Sequence, residues 1–494
     1  MPEEAAKTSD NRKSSKWLIL GTVMLGVIMG PIDASIVNVV LPSIAVDFQV
    51  DYALAQWVPT IYLLAICSFI LFYGRLGDIF GYKKVFLTGL ICFAMSSLIC
   101  GFSQNIWMLV FFRALQGLMV AMQMALGMAI VTAAFPPKER GKAIGIYSSG
   151  IAVGLMLGPV LGGVIAHFLS WRFVFFINVP IAFFAFLLGY RVIPGGKRNP
   201  EQRLDIAGAV LAFIFLFSML LYANRAKNWG WFSQVGVTML MTIIVFGWLF
   251  FRAEWKSDHP MLNLSIFKSQ RFSFACLSSL LNFVALNSIV FLTPWFLADA
   301  LAFDAFRIGT IMMASAIVTF FMGPISGALS DRIGSRGLGF TGMMIVSFGL
   351  FMFSRLTADA KTIDIVWRLA VCGLGGGLFQ SPMNSAAMGS APDQFRGVAS
   401  SILAMMRNVG MVFGIAIAGT IVYNIAPFTT QGHSGLFTSN QLGIFLKGLK
   451  WAFLSASGIA ILSAVSALFA KSDTQADSPA AGKTTQTEAN GVSP

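Results

Sequence analysis

Three charged residues stand where charge is expensive. Asp33 is the lone ionisable side chain between Trp17 and Leu41, Arg113 sits in IWMLVFFRALQG, and Arg407 sits in SILAMMRNVGMVFG. Each stretch is apolar enough for lipid, and a charge at a bilayer centre costs about 2.5–3.5 kcal/mol on insertion scales. Such a residue must face a partner or a cavity. For Asp33 two readings follow. One is a structural pair with a buried polar group. The other is a carboxylate held by turns by a proton and by a cationic cargo, which would couple the two by competition. Arg113 reads equally as a partner for an acid and as a relay, and Arg407 reads first as structural. Side chains that could line a cavity beside them are Asn38, Trp57, Tyr62, Gln116, Gln123, Asn282, Asn287, Trp295, Gln380 and Asn384.

A small charged clasp is written twice. GRLGDIFGYKK (74–84) and GALSDRIGSRG (327–337) carry Gly74, Asp78 and Gly81 at the offsets of Gly327, Asp331 and Gly334, a separation of 253 (327 − 74). Each carboxylate can pair with a neighbouring cation such as Arg75 or Lys83, or face the positive N-terminus of a nearby helix. The latter contributes about 0.3–1 kcal/mol when exposed and up to ~2 when partly buried. Lys84, Arg332 and Arg336 complete the two basic borders. Pro136 stands four residues before Arg140-Gly141 and Pro392 four before Arg396-Gly397, 256 apart (396 − 140). Two landmarks at nearly one offset imply a duplication.

The elements that must position these residues are membrane helices. Hydrophobic residues make up 56% of the 494 and charged residues 11%, against roughly a quarter charged in a soluble domain. Apolar runs of about 20 residues recur, the length that crosses a bilayer. They predict an all-α membrane protein of about fourteen spans. The layout is a disordered tail (1–16), a six-helix half (17–192), two inserted helices (204–253), a second six-helix half (270–470) and a disordered tail (471–494). Lys and Arg cluster in alternate connections, so the net charge of +13 is assigned to orientation rather than to nucleic acid, with both ends cytoplasmic. The first apolar run lacks a cleavage site and reads as a span. In the fifth span Gly150, Gly154, Gly158 and Gly162 share one helical face, with Gly163 beside the last, a groove for close helix packing. Pro159 should bend that span. The five cysteines and three histidines show no metal or disulfide spacing, and no phosphate-cradling loop appears, so no enzyme, metal site or ATP drive is expected.

These stretches carry a resemblance that covers nearly the whole chain. Residues 74–84 and their second copy resemble the loop signature of the major facilitator superfamily. RALQG (113–117) resembles the fourth-helix motif of its proton-driven members, and GIAVGLMLGPVLGG (150–163) resembles the antiporters' fifth-helix signature. With IDASIVNVVLP (32–42) and WRFVFFINVP (171–180), the set is similar to the fourteen-helix drug:proton antiporters. That implies a two-half bundle exporting drugs or toxic compounds across the cell membrane by alternating access. The proton motive force would replace any cofactor. Asp33 and Arg113 would couple proton and cargo, the clasps would act as a conformational latch, and the glycine helix would control leakage. Two departures matter. Ile79 stands where the family's loop usually has Arg. No second deep acid occurs in the second half, where Gln380 and Asn384 take its place. The expected cargo is therefore a monocationic or neutral amphiphile, handled by a monomer in the lipid bilayer. A specific metabolite exporter or symporter on the same fold is the alternative, and a membrane enzyme or sensor is less favoured.

Overall fold

In a computed structural model, residues 2–470 are described, apart from 51, 196–204, 230–232, 257–263, 304, 393–394 and 427–438. The expected tail 471–494 lies outside the described residues. Among those described there is no strand. The long helices are α1 (Pro2–Asp47), α2 (Trp57–Phe80), α3 (Tyr82–Gly101), α4 (Ile106–Ala134), α5 (Arg140–Phe168), α6 (Asn178–Val192) and α7 (Ile206–Trp229). They continue as α8 (Gln234–Lys256), α9 (Gln270–Trp295), α10 (Ala305–Ile333), α11 (Ser335–Phe353), α12 (Thr362–Ser390), α13 (Arg396–Ile425) and α14 (Ser439–Phe469).

Twelve of the described helices are long and apolar enough to cross a membrane, against the about fourteen expected. The two long helices outside that count are α5 and α7. The apolar part of α7 covers only Ile206–Tyr222, about 26 Å of helix against a hydrocarbon core of about 30 Å. At the other end a correction is needed. Residues 2–16, expected to be unstructured, continue α1 as helix.

The duplication seen in the sequence is repeated in the packing. In the first six helices α1 packs on α4, α5 and α6, while α3 packs on α4 and α6, and α2 packs on α4. Adding eight to each label gives the contacts of α9–α14: α9 on α12, α13 and α14, α11 on α12 and α14, and α10 on α12. The two sets meet through α2 with α13 and through α5 with α10, again related by eight. The extra pair, α7 and α8, packs together, and α7 lies against both α2 and α13. Leu220 and Leu221 of α7 join Leu64, Cys67 and Val409 in one apolar cluster, so this helix covers the seam between the sets. On α8, Met241, Ile244, Val245 and Trp248 are exposed, as a lipid-facing helix requires.

Candidate functional site

Asp33 is fully buried at the centre of a polar cluster drawn from five helices. Arg113 Nη1 donates to its Oδ2 and to Gln116 Oε1 at 2.6 Å. Gln116 Nε2 donates to Asp33 Oδ1 at 3.3 Å and to Ser97 Oγ at 2.9 Å. Asn178 Nδ2 donates to Asp33 Oδ1 at 2.9 Å and to Ser97 Oγ at 3.1 Å. The guanidinium lies 4.0 Å from the centre of the Tyr62 ring, whose hydroxyl donates to the Gly30 carbonyl at 3.1 Å. Arg113 and Gln116 are three apart on α4, which puts both on one face. Asn178 opens α6, where it meets the same carboxylate. Asp33 is 17 residues from Lys16, about 26 Å along the helix. Arg113 is 7 residues from the start of α4 at Ile106, about 10 Å along it. The pair thus sits away from the Lys/Arg-rich face, sealed inside the first helix set rather than open to a cavity.

A second site lies where the sets meet. Tyr147 and Met124 from the first set face Gln380, Asn384, Ser400 and Arg407 from the second, around a cavity no larger than a water molecule. Arg407 is 7% exposed, and among the described residues neither its Nη2 nor Ser400 Oγ has a hydrogen-bond partner. Asn384 Nδ2 donates to Ser148 Oγ at 3.2 Å, a contact across the seam.

Of the expected cavity residues, Gln380, Asn384 and Arg407 line this space, and Tyr62 and Gln116 belong to the Asp33 cluster. The others point elsewhere. Asn38 is exposed and donates to the Ala34 carbonyl of its own helix at 3.1 Å. Trp57 packs on the α7 cluster, and Gln123 is buried beside Gly89 of α3. Asn282 is buried on α9. Asn287 donates to the Phe283 carbonyl at 2.9 Å, and Trp295 packs against Phe291 and Phe445. Sequence reasoning missed Asn178, Ser97, Tyr147 and Ser400 as site residues. An Asn inside the apolar run FFINVP was a usable signal for the first, whereas two serines and a tyrosine in apolar helices carry none.

The paired clasps join the two sets. Asp78 accepts hydrogen bonds from the backbone of Gly397 (2.9 Å) and Val398 (3.0 Å) in the first turn of α13. Asp331 accepts from Gly141 (3.0 Å) and Lys142 (3.3 Å) in the first turn of α5. Each carboxylate thus meets the positive end of a helix of the other set. Lys83 is not its partner: it donates to the Tyr190 carbonyl at 2.7 Å, while the Tyr82 hydroxyl reaches Asp78 at 2.8 Å. Arg75 is buried with Nε and Nη1 lacking hydrogen-bond partners, and Lys84, Arg332 and Arg336 are exposed. Gly81 and Gly334, with φ of 92° and 86°, turn the chain sharply after each clasp in a conformation that glycine adopts without strain. A Cβ on Gly74 would stand 2.7 Å from the Gly397 carbonyl oxygen, so the helices touch backbone to backbone there.

The glycine face of α5 rests on α1. Gly150 meets Met24, Gly154 meets Ile28, Gly158 meets Ser35 and Gly162 meets Ile36, whereas Gly163 points into open space. The helix runs unbroken through Pro159. In the second set Gly410, Gly414 and Gly419 of α13 rest on α9 in the same manner. Among the described residues no group of three or more His, Cys, Asp or Glu could hold a metal ion.

The chain is 31% identical over 432 residues to the riboflavin transporter RibZ of Clostridioides difficile, covering 86% of this chain and 93% of that one. It is 31% identical over 421 residues to the multidrug resistance protein Stp of Mycobacterium tuberculosis, covering 85% and 78%. The solved structure of the human organic anion transporter MFSD10 superposes with a TM-score of 0.66 at 13% identity, over 92% of this chain and 99% of that one, a likeness of fold. The family model for the Major Facilitator Superfamily matches residues 23–415, with a second match over 275–492. With that match spanning most of the chain, and with paired helix sets joined by paired clasps, this protein belongs to the major facilitator superfamily of membrane transporters.

Proposed function

We propose that the chain is a proton-coupled antiporter that exports hydrophobic or amphiphilic compounds across the cell membrane by alternating access. In this reading the basic face is cytoplasmic, as are both termini. The halves are α1–α6 and α9–α14, and α5 and α7 also span, which brings the total to fourteen. Drive is the proton motive force.

The observation that carries the reading is the placement of Asp33. Its carboxylate is held by Arg113, Gln116 and Asn178 on the helix that rides the glycine face of α5. The other end of α5 is held by Asp331 of the opposite half. To act as a carrier, Asp33 must loosen from Arg113, whose guanidinium otherwise occupies its carboxylate. Loosening α1 shifts its seat on α5, and α5 reaches the latch. Proton uptake and rearrangement of the seam then share one mechanical element.

The test uses everted vesicles with an imposed proton gradient and a panel of fluorescent amphiphiles. Gradient-dependent accumulation is expected, and it should be lost in Asp33→Asn and equally in the Asp33→Asn/Arg113→Gln double variant, in which no buried charge is left stranded. Accumulation that needs ATP and no gradient, or an Asp33→Asn protein with undiminished drive, overturns the proposal. A second reading, export of one metabolite, is favoured by the likeness to a riboflavin transporter. Accumulation of riboflavin alone from a mixed panel would select it.

A further inference from the structure

Arg407 differs from Arg113 in what surrounds it. Arg113 shares its cluster with a carboxylate, whereas the groups that act electrostatically on Arg407 are Tyr147 and Cys67, a phenol and a thiol. Among the described residues no ion pair involves it and Nη2 has no hydrogen-bond partner, and it is 7% exposed. A guanidinium kept in lipid-depth protein without a counter-ion is a costly arrangement unless something else supplies the negative charge. It stands 11 residues into α13 (407 − 396), about 17 Å from that helix's start and so near the midplane, where transporters of this architecture hold cargo.

The rest of the cavity agrees in chemistry. Gln380 and Asn384 offer amide N–H groups, and Ser400 and Tyr147 offer hydroxyls. The lining includes no carboxylate. Ser400 Oγ, like Arg407 Nη2, is buried and unpartnered. An ionised carboxylate is acceptor-only and takes several such donors at once, with charge-assisted bonds to a guanidinium among the strongest. Met124 on the facing wall is adaptable enough to hold an apolar body of varied shape. Of the monocationic or neutral cargo expected from the sequence, the monocation would instead meet a positive charge that no carboxylate in the lining offsets. Asp33 cannot serve it there, being sealed elsewhere and already engaged by Arg113.

We infer that Arg407, with Gln380, Asn384 and Ser400, forms the recognition site for the acidic group of the cargo, and that the preferred cargo is an amphiphile bearing one carboxylate or equivalent anion. The inference rests on the export reading and narrows its cargo. It is tested by binding alone, so the two can fail separately.

The experiment titrates the purified full-length protein in lipid nanodiscs, with no gradient, by following probe fluorescence. The probes are anthracene-9-carboxylate, anthracene-9-carboxamide and (9-anthracenylmethyl)trimethylammonium. The carboxylate should bind at least about tenfold more tightly than the amide or the ammonium. Arg407→Gln should remove that preference, and Arg407→Lys should keep part of it, retaining the charge without the planar fork. Should Arg407→Gln not fold, Asn384→Asp decides: it conserves volume, places a carboxylate on the facing helix, and should abolish carboxylate binding while improving the ammonium probe. Equal binding of carboxylate and amide to the native protein, or a preference that survives Arg407→Gln or Asn384→Asp, overturns the inference. Loss of proton coupling would leave this ranking untouched, and a wrong ranking would leave proton-driven export standing.

Discussion

At the scale of single residues, the decisive quantity is what a buried charge has beside it. Removing one member of the Asp33–Arg113 pair leaves the other stranded, which typically costs about 3–5 kcal/mol, whereas removing both costs much less. Arg113→Gln is therefore expected to lower the unfolding temperature of the purified protein steeply, and the Asp33→Asn/Arg113→Gln double variant to recover most of the loss. Equal instability of single and double variants would mean the pair is not an isolated unit. At the end of the same helix, Asp47 behaves differently. A hydrogen bond from Arg172, seconded by one from Trp171, holds its carboxyl below the usual range despite some desolvation. A depressed folded value means its stabilisation is complete above about pH 4, the unfolded value, and disappears as pH falls through the lower folded one. Asp47 is 44% exposed, so the contribution is below ~1 kcal/mol. Asp47→Asn should cost a degree or two at pH 7, and the difference from the native protein should shrink as pH falls below about 4, measured by thermal scans across pH. The deep charges were legible in the sequence because hydropathy makes them conspicuous. Of their partners, Asn178 left a usable signal in its apolar run, whereas Ser97 and Tyr147 are unremarkable until the helices bring the first into the Asp33 cluster and the second to the cavity beside Arg407. The monocationic or neutral cargo expected from the sequence rests on the lack of a second acid, whereas the inferred anionic cargo rests on the surroundings of Arg407, which only the packing shows.

At the scale of elements, α5 is the piece that links the Asp33 helix to a clasp of the other set. Its first turn receives Asp331, and its later turns carry the glycine face that seats α1. A Cβ on Gly158 would come within 2.8 Å of the Ser35 Cβ and 2.9 Å of the Ile36 backbone nitrogen, two residues from the acid's own turn. Gly158→Ala must therefore push α1 outward, an overpacking cost of about 1–3 kcal/mol, and should impair gradient-driven transport as well as stability. Gly163→Ala meets nothing within 4 Å and should be neutral or slightly stabilising, since alanine favours helix. Comparing the two variants in unfolding and vesicle assays separates lost helix seating from a general intolerance of the span. The four-residue glycine period announced a close helix contact in the sequence but could not name α1 as its partner, because period gives a face and not a neighbour. The same limit applies to α7, whose apolar pattern marked it as an extra helix but gave no hint that it would lie over the seam between α2 and α13.

At the scale of the whole molecule, the alternating access we propose would make the two clasps act on one equilibrium. Asp78 holds α13 from the first set and Asp331 holds α5 from the second, so both bonds must break when the basic face opens. A carboxylate at a helix N-terminus contributes on the order of 1 kcal/mol, about fivefold in an equilibrium constant. Asp78→Asn or Asp331→Asn alone should therefore raise the population open at that face about fivefold. If the halves move as rigid bodies, the double variant should raise it by the product, about thirtyfold, since contributions at distant sites to one two-state change add in free energy. The readout is the rate at which a membrane-impermeant thiol reagent, added from the basic side, modifies Ser400→Cys in an otherwise cysteine-free protein. Ser400 lies in the cavity behind both clasps, so the reagent reaches it only after opening. A double variant no faster than the better single would show that the clasps release independently, each loosening its own helix end, and the seam would then not be a shared gate.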